Sequence, residues 1–156
     1  MATSDIGKHC IWADREVSKL LSSVKPDDFK QVPEQTGRSL HDLVVHLLVG
    51  YEMVLGVQPK DSLEKYNAMK QPELLTAWNA VVEKFITEID GNITKSYPLK
   101  MDDGSERKIE GQNFLLSYTD HSTYHRGQII TTYKFITGKD AVSTDYYTYL
   151  GKKNPL

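Results

Sequence analysis

The sequence predicts an all-α fold, a four-helix bundle with a short β-hairpin before the last long helix. Three observations carry that prediction. Four segments space their apolar residues by three and four; Ser, Pro and Gly stand at their ends; and the Asp103-Gly104 pair is flanked by short runs with apolar residues.

The first segment is DIGKHCIWADREVSKLLSSV, in which Ile6, Cys10, Ala13, Val17, Leu20, Leu21 and Val24 make the apolar side. Ser4 or Asp5 stands at its N-cap and Pro26 just past its end. The second, SLHDLVVHLLVGYEMVLG, has Ser39 as N-cap with Asp42 three residues on. Leu40, Leu43, Val44, Leu47, Leu48, Tyr51, Val54 and Leu55 form its broad apolar side.

The third segment, PELLTAWNAVVEKFITEID, opens on Pro72 and Glu73, which suit the first turn of a helix. Leu74, Leu75, Trp78, Val81, Val82, Phe85 and Ile89 give it an amphipathic stripe. The fourth runs from about Gln112 to Thr137, with Gly138 as its stop. Before it lies the hairpin segment SYPLKMDDGSERKIEG, and after it a short closing element, TDYYTYLGK, is expected to pack back on the bundle. The connection from roughly Val57 to Gln71 is long enough to cross a helix, so up-down-up-down topology is not required.

Composition narrows the functional classes. The 156 residues fit one domain, 1–156, and 39% hydrophobic with 26% charged residues is ordinary for a globular chain. A net charge of −2 argues against general attraction to nucleic acid or an anionic membrane. The N-terminal stretch acquires Asp5, Asp14 and Arg15 before an apolar run develops, which is unlike a signal peptide. No apolar stretch has transmembrane length, and the single cysteine, Cys10, fits a reducing compartment. The cytoplasm is the expected location.

The chemistry concentrates in DHSTYHRGQI. His121 and His125 are four residues apart and project about 40° from each other on a helix, a spacing that lets two imidazoles reach one ion. Phe114, His121, Gln128 and Phe135 repeat along that face with Tyr118 beside them, so the pair is expected to look inward. A third ligand is needed, and His46 stands at the border of the second helix's apolar stripe. Gly50, one turn along, leaves room for an ion and a substrate. His41 and His9 are weaker candidates by direction. On residue pattern alone, a metal site and a set of core histidines both stand open.

The same residues resemble the H-x-x-x-H-R-G-Q signature of the DinB/YfiT-like metalloproteins. HCIWADREVSKLL looks like the family's first helix and SLHDLVVHLLVGYEMVLG like its second; the hairpin and the closing TDYYTYL also fit. The resemblance implies an up-down-down-up bundle holding a divalent metal through His46, His121 and His125. Gln128 and Tyr118 would then be the ligand-contacting candidates, Gln128 otherwise bracing the site. Core packing is the alternative role of Tyr118 and the expected one of Tyr124, which flanks the site too. Glu52 comes six residues after His46, where the family often has an acidic residue at five, and so reads as a salt-bridge residue. Arg126 is expected in a structural ion pair and Gly127 at a close helix contact.

The resemblance further implies a metal-dependent enzyme of the thiol-S-transferase type, acting on a small electrophile with a low-molecular-weight thiol. Zinc is the default metal and nickel the close alternative. A metal-dependent hydrolase and a non-catalytic metal-binding stress-response protein are the competing readings. The expected partner is a small molecule rather than nucleic acid or membrane, and the expected assembly is a homodimer. Cys10 suits the core better than catalysis.

Overall fold

A computed structural model describes residues 3–100 and 103–153. These form seven helices and a two-stranded antiparallel sheet, in the order α1 (Asp5–Leu21), α2 (Pro26–Lys30), α3 (Leu40–Val54), α4 (Pro59–Asn67), α5 (Gln71–Asp90), β1 (Ser96–Lys100), β2 (Glu106–Glu110), α6 (Gly111–Thr137) and α7 (Tyr146–Lys153).

The ends of the long helices are set by the chemistry expected of them. Ser4 Oγ accepts from Gly7 N to cap α1, and Ser39 Oγ accepts from Asp42 N to cap α3. In α5 the Glu73 carboxylate reaches back to Lys70 N, and Pro72 lies in the first turn. Gly138 stops α6 in the left-handed conformation, at φ 68°, which costs a glycine little.

The four long helices share one core. α1 packs on α5 and α6, α3 on α5 and α6, and α5 on α6. Trp78, Phe85 and Ile86 of α5 are buried in one cluster with Leu47 and Leu48 of α3 and Val17 and Leu21 of α1. Phe85 and Tyr118 stack with ring centroids 4.6 Å apart, and Tyr51 lies 4.8 Å from Tyr118. At the start of α1 the exposed residue is Ile6, expected on the apolar side. Gly7 faces α5 instead, where a Cβ would meet Asp90 Oδ2 at 2.6 Å. A close helix crossing replaces an apolar contact there.

Two short helices were not expected. α2 buries only Phe29, and α4 only Ser62 and Tyr66, too little to make an apolar period. The connection after α3 is therefore not a plain crossing segment; it contains α4, which packs on α3.

The hairpin pairs Tyr97 with Ile109 and Leu99 with Arg107. Met101 and Asp102 of its predicted turn lie outside the described residues, while Asp103 Oδ1 accepts from Ser105 N and so holds the remainder. Tyr97 meets Phe114 edge to face at 5.9 Å, and Gly111 N donates to Lys95 O, tying the hairpin to the start of α6. At the chain's other end α7 docks on α1, where Tyr149 lies near His9 and Trp12. No helix among the described residues is long and apolar enough to cross a membrane.

Candidate metal centre

α3 and α6 lie side by side, and each presents histidines across their contact. His46 stands two turns into α3 from the Ser39 cap; His121 and His125 stand one turn apart on α6. One ring nitrogen from each of the three comes within 4.8 Å of the other two. The closest approach recorded is between His46 Nε2 and His125 Nε2, at 3.1 Å.

A hydrogen bond chooses the tautomer of His125. Its Nδ1 lies 2.7 Å from Gln128 Oε1, so Nδ1 carries the proton and donates it, leaving the Nε2 lone pair facing His46. Gln128 Nε2 donates to Tyr124 OH, which holds the amide in that orientation. Around a tetrahedral ion with bonds of about 2.0–2.1 Å, ligand nitrogens sit about 3.4 Å apart. The His46–His125 pair nearly meets that spacing, and the exposed His121 has the rotamer freedom to supply the rest. The donor set fits a divalent cation of zinc or nickel type.

Electrostatics favour the neutral, ligating forms. Burial pushes all three imidazoles below their usual value, His125 to about 4. The Arg38 guanidinium adds to the effect on His46 and His125, as do the neighbouring histidines.

The face is not as inward as its period suggested. His125 is buried and His46 half-buried, but His121 is exposed and Phe135, further along the same face, is 54% exposed. The face is buried at Phe114, Tyr118 and His125 and open to solvent at His121 and Phe135. Beside His121 lies an apolar groove of about 200 Å³, lined by Gly50, Met53, Phe85, Phe114 and Tyr118 among others. No atom comes within 4 Å of where a Gly50 Cβ would be, so the space expected there is present. A wider cleft, about 1140 Å³, lies between α5 and the hairpin among Lys84, Glu88 and Lys95 and does not reach the histidines.

The other sequence expectations divide. Tyr118 turns its ring to the groove, but its hydroxyl donates to Asp14 at 3.0 Å, so it meets any ligand through its ring. Tyr124 is a correction: it is 63% exposed rather than packed in the core. Gly127 is another, for nothing lies within 4 Å of its would-be Cβ and it makes no close helix contact. Arg126 forms the expected ion pair, with Asp14 at 2.7 Å. Glu52 turns to Ser62 and Lys65 of α4, as a salt-bridge residue should. His41 packs edge-on against Phe29, and His9 Nε2 lies 2.9 Å from Thr144 O. Cys10 is fully buried, and burial raises its thiol pKa.

Two participants were missed. Asp14 sits three residues before Val17 and four after Cys10, a carboxylate within the buried stripe of α1, which was a readable signal for a buried partner. Arg38 directly precedes the Ser39 cap, and nothing in its local pattern points toward the histidines.

Comparison with known proteins bears on the family and the fold. The model of the DinB family matches residues 1–153. A crystal structure of a DinB-like protein from Bacillus subtilis superposes with a TM-score of 0.68 at 15% identity, over 91% of this chain and 99% of that one. At that identity the likeness speaks for the fold alone. No curated protein matches the sequence.

Proposed function

The chain belongs to the DinB family, and on that premise we propose that His46, His121 and His125 hold a divalent metal ion, zinc by default and nickel next, in an enzyme of the thiol-S-transferase type. The observation that carries this reading is the convergence of three ring nitrogens from two helices within 4.8 Å. Such proximity is unfavourable for charged imidazoles and favourable for neutral ones sharing a cation.

A divalent cation held there supplies Lewis acidity that lowers the pKa of a thiol or a water. The protein's own residues do the rest. Gln128 fixes the His125 ring, while His121 stays accessible from solvent. The groove beside His121 offers apolar walls to an electrophilic substrate, and Gly50 keeps it open. Base-assisted hydrolysis finds less support, because Glu52 is engaged by Ser62 and Lys65 rather than turned to the histidines. In this reading the four long helices form one up-down-down-up four-helix-bundle domain. The protein is cytoplasmic, assembles as a homodimer, and acts on a small molecule rather than nucleic acid.

The test is metal content by mass spectrometry on untagged protein, beside His46→Ala and His125→Ala variants that keep their helical circular dichroism. About one ion per chain, lost in both variants, is the expected result. Conjugation of a low-molecular-weight thiol to a small electrophile is then assayed on the loaded protein. Failure to take up zinc or nickel on reconstitution overturns the metal reading; loading without thiol transfer leaves a metal-binding stress protein.

A further inference from the structure

A second cleft, of about 390 Å³, opens on the other side of the histidines, between the start of α3 and the later turns of α6. Its walls include Thr36, Arg38, Tyr124, Gln128, Thr131 and Thr132. Among the described residues no carboxylate lines it. Gln128 and Tyr124 belong both to this wall and to the hydrogen-bonded chain that fixes His125. The cleft and the candidate metal centre are therefore neighbours that share a partition.

Two groups in it lack partners. Arg38 is exposed, and among the described residues its guanidinium makes no ion pair or hydrogen bond. Thr132 is fully buried, yet among the described residues its hydroxyl has no hydrogen-bond partner. A helical threonine can satisfy its hydroxyl by bonding the carbonyl four residues back. Thr76, Thr119 and Thr137 do so here, each at 2.8 Å. Among the described residues Thr87, Thr123 and Thr131 also lack that bond but are exposed to water, whereas Thr132 lacks it while buried, and it lies in the wall of this cleft. A buried hydroxyl without a partner is costly, and a ligand oxygen that displaces the side chains covering it would satisfy it.

We propose that this cleft binds the anionic group, carboxylate or phosphate, of the small-molecule ligand whose reacting end lies at the three histidines. The proposal deepens the function proposed above and rests on it for that reacting end. A guanidinium takes a carboxylate or phosphate through paired N–H donors, and the Thr132 hydroxyl donates to a remaining oxygen. Tyr124 OH, which accepts from Gln128, keeps its own proton to give. Bridging the two sites sets the reacting group's distance from the histidines and selects acidic small molecules over neutral ones.

The experiment uses chelator-treated full-length protein, so that its outcome does not depend on metal. Succinate and inorganic phosphate are titrated separately, followed by calorimetry and by the amide resonances of Thr36, Gln128 and Thr132. Saturable binding is expected with shifts at those residues. It should weaken about tenfold or more in Arg38→Gln and several-fold in Thr132→Val, while Arg15→Gln, a remote exposed arginine, leaves it unchanged. Whichever anion binds tighter names the group. Absence of saturable binding overturns the proposal, as does equal affinity in wild type and Arg38→Gln. Arg38-dependent binding in a protein that takes up no zinc supports the anion site and fails only the metal reading; zinc uptake without anion binding does the reverse.

Discussion

Asp14 of α1 and Arg126 of α6 form an ion pair at 2.7 Å with both side chains essentially inaccessible, at 0% and 2% exposure. The Asp14 carboxylate also accepts from Tyr118 at 3.0 Å and Tyr51 at 3.4 Å. Burial, and after it the Asp14 charge, holds both phenol pKa values well above the usual one, so they stay donors. Because Arg126 follows His125 in the chain, this pair anchors α6 beside the candidate centre.

Breaking the pair is expected to be costly. Asp14→Ala leaves a buried guanidinium uncompensated and should destabilise the fold by about 3–5 kcal/mol in urea unfolding. The double variant Asp14→Leu with Arg126→Met should lose less than Asp14→Ala, since no charge is then stranded. A double variant worse than the single one contradicts this account.

Gln128→Leu should keep the helical content but lower zinc affinity by about 10–100-fold, the usual effect of removing a ligand's hydrogen-bond partner. Competition with a chromophoric chelator reads the change. Unaltered affinity would show that the Gln128 contact does not orient His125.

Stability of the metal-free protein should fall as pH drops from about 6.5 toward 4. The folded pKa of His125, about 4, lies below the unfolded value of about 6.5, so in this window the unfolded chain binds protons that the folded one refuses. Above that window the contribution is flat; His46 and His121 shift in the same direction. Urea midpoints at pH 7.5 and 5.0 should differ, and less so for His125→Gln. An equal drop in both proteins assigns the acid sensitivity elsewhere.

Glu52 is expected to matter for structure and not for metal. Burial opposes its charge, but hydrogen bonds from Ser62, Tyr66 and Lys65 outweigh that and hold its pKa below the usual range. Glu52→Ala strands the fully buried Ser62 hydroxyl and should cost about 1–3 kcal/mol. Limited proteolysis should increase within α4 while metal stoichiometry is retained. Loss of metal in this variant would place Glu52 in the centre after all.

The sequence by itself determined the four long helices and singled out the three histidines as candidates. Ser39, Pro72 and Gly138 mark helix ends through local backbone chemistry, and the spacing of His121 and His125 follows from helical pitch. These features need only a few consecutive residues, so they are legible without a fold. The tertiary structure alone decided what each side chain meets across a helix contact. It turned His121 outward and buried His125, though both lie on one face. It joined Asp14 to Arg126 across 112 residues and brought Arg38 to the same cleft as Thr132. Such pairings depend on where helices cross and where loops return. Short α2 and α4 escaped the reading because so few of their residues are buried, whereas a partner such as Arg38 has no local signal at all.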